Sequence, residues 1–386
     1  MPSAIQSFML NTRIVFGMDA VRELPAIGKT YGNKVLLVAG KHATIHNGTL
    51  SRIESSLAEA GMVPIRFAEV EPEPSLQTLA KGLELARTEA VDWVLGVGGG
   101  SAMDTAKAIG ALYHAGESIE YYFDGGPIES PGLPIVTVPT TAGSGAEVTF
   151  NAVLSDTERR IKQSIRGSQL MRPAVALVDP GLTFSLPPQA TAYSGLDALV
   201  QAIEAFTSKG ASPLTDIYAL SAVERIGAHL LRAYQDGQDA KARSEMAMGS
   251  LMAGVALSNA RLGAVHGLAH PIGIRTGKAH GLICAVLLVP VMRFNMAVSY
   301  EKYALIAKAL GHSINGMDPI DAAAFGIKTL MGLEKKLGIP PRIRSLDLAE
   351  ADLPAIVTES LPSGSLKANP REAKPEDLLN ILRENF

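Results

Sequence analysis

The chain has 386 residues, of which 47% are hydrophobic and 19% charged, and its net charge is −3. That length suits two domains with a core in each, and the lack of a basic tract excludes nucleic acid and anionic membrane as expected partners. A single cysteine, Cys284, excludes an internal disulfide and fits a reducing compartment; its setting, GLICAVLLVP, is apolar and reads as core. The opening stretch MPSAIQSFMLNTRIVFG lacks the pattern of a signal peptide, and no window holds the ~18 apolar residues of a membrane span, so the expectation is a cytoplasmic protein.

In chain order, KVLLVAG (34–40) predicts a strand, GTLSRIESSLAEAG (48–61) a helix and VPIRFAEV (63–70) a strand. SLQTLAKGLELARTE (75–89) predicts a helix, VDWVLGVGGG (91–100) a strand running into glycines, and PIVTVPTT (134–141) a further strand. Apolar runs alternating with helices imply parallel strands buried on both faces, hence a Rossmann-like α/β sheet that binds ligands beyond its carboxyl ends. After VALVDPGLTFSLPP (175–188) strand-like runs are scarce, and Ala-rich helical segments follow almost to the end. The boundary therefore falls near 187, with an α/β domain over 1–187 and a mostly α-helical domain over 188–386.

GVGGGSAMDTAKAIGAL (96–112) joins a strand to a helix through Gly98, Gly99 and Gly100, followed by Ser101 and Asp104. Glycine lets backbone pass close to a ligand, and a helix start offers free N–H groups to a pyrophosphate. The pattern is neither GxGxxG nor a Walker A loop, and a tight turn with Ser101 as N-cap explains it equally. A second polar loop, VPTTAGSGAEVTFN (138–151), follows the next strand and is placed to close over the same ligand.

In GLDALVQAIEAF (195–206), Leu196, Leu199, Val200, Ile203 and Phe206 make an apolar helical face, and Asp197 and Gln201 stand one turn apart. Three histidines crowd into VHGLAHPIGIRTGKAHG (265–281): His266 and His270 one turn apart on a helix that Pro271 ends, and His280 across a loop containing Gly273 and Gly277. Imidazoles with a carboxylate form open metal sites, whereas each histidine alone reads as an ordinary core or surface residue. The spacing is not HExxH, since position 267 is Gly.

Taken together, GGGSAMDTAK, PTTAGSGAEVT, VDPGLT, SGLDALVQAIEAF, HGLAHPIG and KAHGLICAVLLVPVMRFN occur in the order seen in the iron-containing (group III) alcohol dehydrogenases, and the resemblance runs from TRIVFG to the final helices. It implies a dehydroquinate synthase-like architecture with a dinucleotide-binding first domain and a metal- and substrate-binding helical second. The implied activity is NAD(P)-dependent hydride transfer between a small alcohol and its carbonyl, assisted by Fe2+ or Zn2+, in an enzyme that often forms homo-oligomers. By the same resemblance Gly98, Gly99, Gly100 and Ser101 lie along the pyrophosphate, with Asp104 in that turn. Thr140, Thr141 and Ser144 line the cofactor, and Asn151 and Lys162 approach the nicotinamide ribose. Asp197, His266 and His280 match three metal ligands, and His270 matches a histidine beside the substrate that takes part in proton transfer.

Two positions depart from the family pattern. Gln201 stands where the usual fourth ligand is a histidine; an amide oxygen binds a cation more weakly, so a retained but weakened metal site is expected. Gly40 ends the strand at AGKH, where many members carry an Asp that would repel a 2′-phosphate, so NADP(H) is expected to be accepted. A metal-independent reductase of the maleylacetate type, a dehydroquinate synthase-like lyase and a dinucleotide-binding protein without catalysis are the competing readings. Arg275 reads as a surface residue, and the physiological substrate lies beyond the sequence.

Overall fold

The computed structural model describes residues 7–166 and 169–386. The chain divides into two compact units, Leu10–Leu186 and Pro187–Phe386, the latter joined by the described residues up to Met9. Met9 is tied to the helical unit through Asn259, whose side chain accepts from the Met9 N–H at 2.7 Å and donates to its carbonyl at 3.1 Å.

In the first unit the strands are β1 (Arg13–Phe16), β2 (Lys34–Gly40), β3 (Val63–Val70), β4 (Trp93–Gly98), β5 (Ile135–Pro139), β6 (Asn151–Asp156), β7 (Ile161–Arg166) and β8 (Val175–Val178). Six of them form a parallel sheet in the order β1-β8-β5-β4-β2-β3. The inner strands β2, β4, β5 and β8 are almost wholly apolar because both faces are covered, whereas the edge strands β1 and β3 carry exposed residues. Leu36, Val38 and Val94 enter one core layer with residues of α2 (Leu76–Thr88) and α3 (Gly100–Leu112). Val35, Leu37, Trp93 and Leu95 enter the opposite layer with α1 (Thr49–Glu59). From β2 the chain moves outward to β3, then resumes on the other side of β2 with β4, so Gly40 and Gly98 end neighbouring strands at a topological switch point.

The antiparallel ribbon β6–β7 was not expected from the sequence. It buries only Ala152, Leu154 and Asp156 of β6 in alternation, a signal too short to separate from loop. Its anchor is polar: Asp104 on α3 accepts the Val153 N–H at 2.9 Å and pairs with Lys107 at 2.8 Å, while the fully buried Lys107 ammonium donates to Thr149 at 2.8 Å.

The second unit is built from α4 (Pro188–Thr207), α5 (Pro213–Gln235), α6 (Ala240–Ala260), α7 (Ala264–Thr276), α8 (His280–Ala309) and α9 (Pro319–Lys336), with short helices toward the C-terminus. Helix α4 packs against α5, α6 and α8, and every residue from Gly195 to Thr207 is buried. The expectation that Pro271 ends a helix fails. Helix α7 continues through Pro271 to Thr276, taking in Gly273, and stops at Gly277 with φ 62°. Helix α8 likewise runs 30 residues through Pro290. Proline removes one N–H but does not stop a helix whose other turns are held by packing. An 18-residue window of α8 reaches a mean hydropathy of 2.0, enough by length and composition to cross a membrane, but 72% of it is buried, as in a core helix.

Burial pushes the Glu147 carboxyl up to about 7, opposed by its backbone hydrogen bond and by Lys107. Because the folded pKa lies above the unfolded one, the stability associated with this group is fully present below the unfolded pKa and is lost as pH rises toward 7, a change of about 3 kcal/mol. Replacing Glu147 with Gln is therefore expected to raise the thermal midpoint over wild type at pH 8 but hardly at pH 5. A midpoint difference independent of pH would refute this.

Candidate active site

Asp197, Gln201 and Glu204 recur at i, i+4 and i+7 on α4, a polar stripe along a helix that is otherwise apolar and buried. Gln201 Nε2 donates to Asp197 Oδ2 at 2.9 Å. Glu204 accepts from the N–H groups of Val265 (2.7 Å) and His266 (3.4 Å) at the start of α7, where free donors and the helix dipole favour a carboxylate. Its Oε2 also stands 2.6 Å from His266 Nδ1. That contact fixes the tautomer, with the proton on Nδ1 and the Nε2 lone pair free to coordinate.

Helix α8 delivers the second imidazole. His280 is its first residue, and Gly281 lies so close to α4 that a Cβ there would fall 2.0 Å from the Tyr193 carbonyl oxygen. His280 Nε2 is thereby placed 3.8 Å from Asp197 Oδ1, and His266 Nε2 is 3.5 Å from that same oxygen. Cys284, one turn further along α8, is fully buried with Sγ 3.5 Å from His280 Nε2. Ligand atoms of Asp197, His266, His280 and Cys284 all lie within 4.8 Å of one another.

The electrostatics call for a cation. Asp197 and Glu204 are both buried, and among the described residues neither is paired with a lysine or arginine. Asp197 Oδ1 and His266 Nε2 are buried without a hydrogen-bond partner. Burial disfavours the His266 imidazolium, but Cys284, Asp197 and Glu204 outweigh it and hold its pKa well above the ordinary value. Burial pushes the Cys284 thiol up to about 11.

The sequence thus named three residues that the fold brings together, Asp197, His266 and His280. His270 lies at the edge of the group, its ring centroid 5.5 Å from that of His280. Gln201 is beside Asp197 with its amide nitrogen turned to the carboxylate and its Oε1 buried without a hydrogen-bond partner. Glu204 and Cys284 went unnamed. Glu204 extends the stripe of Asp197 and Gln201 by one turn, and Cys284 follows His280 by one turn; helical spacing was the available signal for both. Arg275 is engaged by Glu359 through two hydrogen bonds of 2.5 and 2.6 Å.

The α/β unit carries the other set. Gly98 has φ 150°, which disfavours other residues, and a Cβ on Gly100 would fall 2.8 Å from Ser144 Oγ. A Cβ on Gly99 would meet Thr141 Oγ1 at 3.5 Å, and the Thr140 N–H donates to the Gly98 carbonyl at 2.9 Å. The two polar loops therefore do come together at the carboxyl ends of β4 and β5. Gly99, not Ser101, is the N-cap of α3, and no side chain caps its first N–H groups. Asn151 and Lys162 sit on the ribbon four positions apart in register, about 13 Å. Asn151 donates to Ser164 at 3.1 Å, and Lys162 is paired with Glu73.

Residues 11–180 match the iron-containing alcohol dehydrogenase family, and residues 191–386 match the C-terminal domain of the Fe-containing alcohol dehydrogenase family. The chain is 34% identical to the NAD-dependent methanol dehydrogenase of Bacillus methanolicus, over 98% of this chain and 99% of that protein. It is 35% identical to the lactaldehyde reductase of Escherichia coli K12, over 97% of each. A crystal structure of a 1,3-propanediol oxidoreductase superposes with a TM-score of 0.94 at 36% identity, covering 99% of this chain and 100% of that one.

A carboxylate that orients a ligand imidazole typically contributes 10–100-fold to metal affinity. Glu204→Gln is expected to weaken zinc binding by about that factor in a chelator competition, with the helical content unchanged. Unaltered affinity would mean that Glu204 serves only to cap α7.

Proposed function

This chain belongs to the iron-containing alcohol dehydrogenase family, and from that premise we propose how its residues divide an NAD(P)(H)-dependent interconversion of small alcohols and aldehydes. The chain is an oxidoreductase of alcohols and aldehydes, and its family implies a nicotinamide cofactor and a metal. In our reading Asp197, His266 and His280 hold the metal, and a divalent ion bound there supplies Lewis acidity toward the substrate oxygen. One observation carries this: a carboxylate oxygen and an imidazole nitrogen, both buried and without hydrogen-bond partners, face each other at 3.5 Å.

Gly98, Gly99, Gly100 and Ser101 bind the pyrophosphate in this proposal, because the uncapped start of α3 offers N–H groups and a positive dipole end. Thr140, Thr141 and Ser144 close the loop over it. Asp104 acts through the Val153 N–H, holding the ribbon that carries Asn151 and Lys162. The bound nicotinamide supplies or accepts the hydride. His270 carries the proton, as an imidazole beside the ligand group able to exchange with solvent. An Asp and two His suit Fe2+ and Zn2+ alike.

At the end of β2, Gly40 itself brings no carboxylate, and Lys41 lies beside it, 3.9 Å from Glu71 at the end of β3. We therefore expect NADPH to be accepted. Gly40→Asp should shift selectivity toward NADH by about tenfold or more through repulsion of the 2′-phosphate. A wild-type preference for NADH above about 100-fold in kcat/KM, some 2.7 kcal/mol, would overturn the reading.

Replacing His280 with Ala tests the site itself. Turnover of a small aldehyde should fall by about 10^3-fold or more, while NAD(P)H affinity by fluorescence titration stays near wild type. Loss of cofactor binding with turnover would place the chemistry elsewhere.

A further inference from the structure

Resting on the metal reading above, we propose that the Cys284 thiolate is the fourth protein donor of the metal site, completing an Asp-His-His-Cys set. Cys284 follows His280 by one turn of α8, so both side chains leave the helix on the same side. Its sulfur is 3.5 Å from His280 Nε2 and within 4.8 Å of the ligand atoms of Asp197 and His266. Donors about 2.0–2.3 Å from a zinc ion in tetrahedral arrangement stand about 3.3–3.6 Å apart. The observed separations of 3.5, 3.5 and 3.8 Å already approximate the edges of such a polyhedron.

The buried, unpartnered Asp197 Oδ1 and His266 Nε2 point independently to a cation at the same place. Gln201 fills a different role. Its Nε2 donates to Asp197 Oδ2, which restrains the carboxylate with Oδ1 toward the imidazoles, as outer partners of metal ligands do. On metal binding the Cys284 S–H bond breaks, its proton leaves to solvent and the sulfur lone pair forms the bond to the metal, with no change of oxidation state. A thiolate makes the donor set softer than carboxylate and imidazole alone and shifts preference toward zinc. Catalytic zinc expands to five-coordinate, which retains room for the substrate oxygen beside four protein donors.

The test uses the full-length protein loaded with Co2+ or Zn2+. Wild type with Co2+ is expected to show ligand-field bands together with a thiolate-to-cobalt charge-transfer band in the near ultraviolet. Cys284→Ser and Cys284→Ala should lose the charge-transfer band, keep ligand-field bands, and bind metal at least about tenfold more weakly. Zinc-edge absorption of wild type should fit one sulfur at about 2.3 Å. Ligand-field bands without the thiolate band, and a zinc shell of nitrogen and oxygen only, would overturn the proposal while the metal reading stands, with Gln201 Oε1 or water as the fourth donor. Failure of wild type to take up either ion would overturn both. If Cys284→Ala does not fold, the sulfur scattering of wild type alone decides.

Discussion

The helical unit is organised around two lone pairs that face each other. His266 gives its Nδ1 proton to Glu204 at 2.6 Å, so its Nε2 presents an electron pair toward Asp197 Oδ1 at 3.5 Å, in an interior that water does not reach. Two acceptors at that distance repel unless a proton or a cation stands between them. A proton resolves the conflict for this pair, as the raised pKa of His266 expresses. It does nothing for His280 and Cys284, which converge on the same point. A dication satisfies all four groups and offsets the charge of two buried carboxylates, which is why the cluster reads as a metal site and not as a buried ion pair.

Rigid helices hold that arrangement. Asp197, Gln201 and Glu204 lie on one buried helix, so their spacing is fixed by helical geometry and not by loops. The close approach at Gly281 seats the first turn of α8 on α4, and the Glu204 carboxylate on the start of α7 fixes the third helix. In the proposed reading the α/β unit solves a different problem, the approach of backbone to an anion. There the glycines at 98–100 and the threonines and serine of the following loop are packed so tightly that a side chain at Gly100 would displace Ser144.

Legibility in the sequence followed the length of each signal. The strands at 34–40 and 93–98 were readable because both faces are buried and the runs are unbroken, the edge strand at 63–70 because β-branched and aromatic residues recur in it, and α4 because five apolar residues recur at helical spacing. The ribbon β6–β7 was not, since its stability rests on a distant buried pair, Asp104 and Lys107, that no local pattern announces. Proline misled at 271 because packing outweighed a local breaking signal. Asp197, His266 and His280, which the fold brings together, were singled out by residue type and family resemblance. Cys284 was passed over because its flanks are apolar, and apolar flanks are equally the mark of a core cysteine and of a buried ligand; only the positions of its neighbours separate the two.

Gln201 and Cys284 are best understood as one arrangement. An imidazole at 201 would stand one turn from Asp197 and face the same cation; the amide instead donates to Asp197 Oδ2. A cation held there would lack that nitrogen ligand, and the thiol of α8 is the buried group beside His280. The proposed donor set therefore draws on all three helices, with one carboxylate from α4, one imidazole from α7, and an imidazole and a thiol from α8. Loss of the usual histidine does not by itself mean a weaker metal site, because affinity depends on the whole donor set and on the partners that orient it. In this chain the orienting partners, Gln201 for Asp197 and Glu204 for His266, sit on the same stripe of the same helix, so α4 sets both the ligand and its supports.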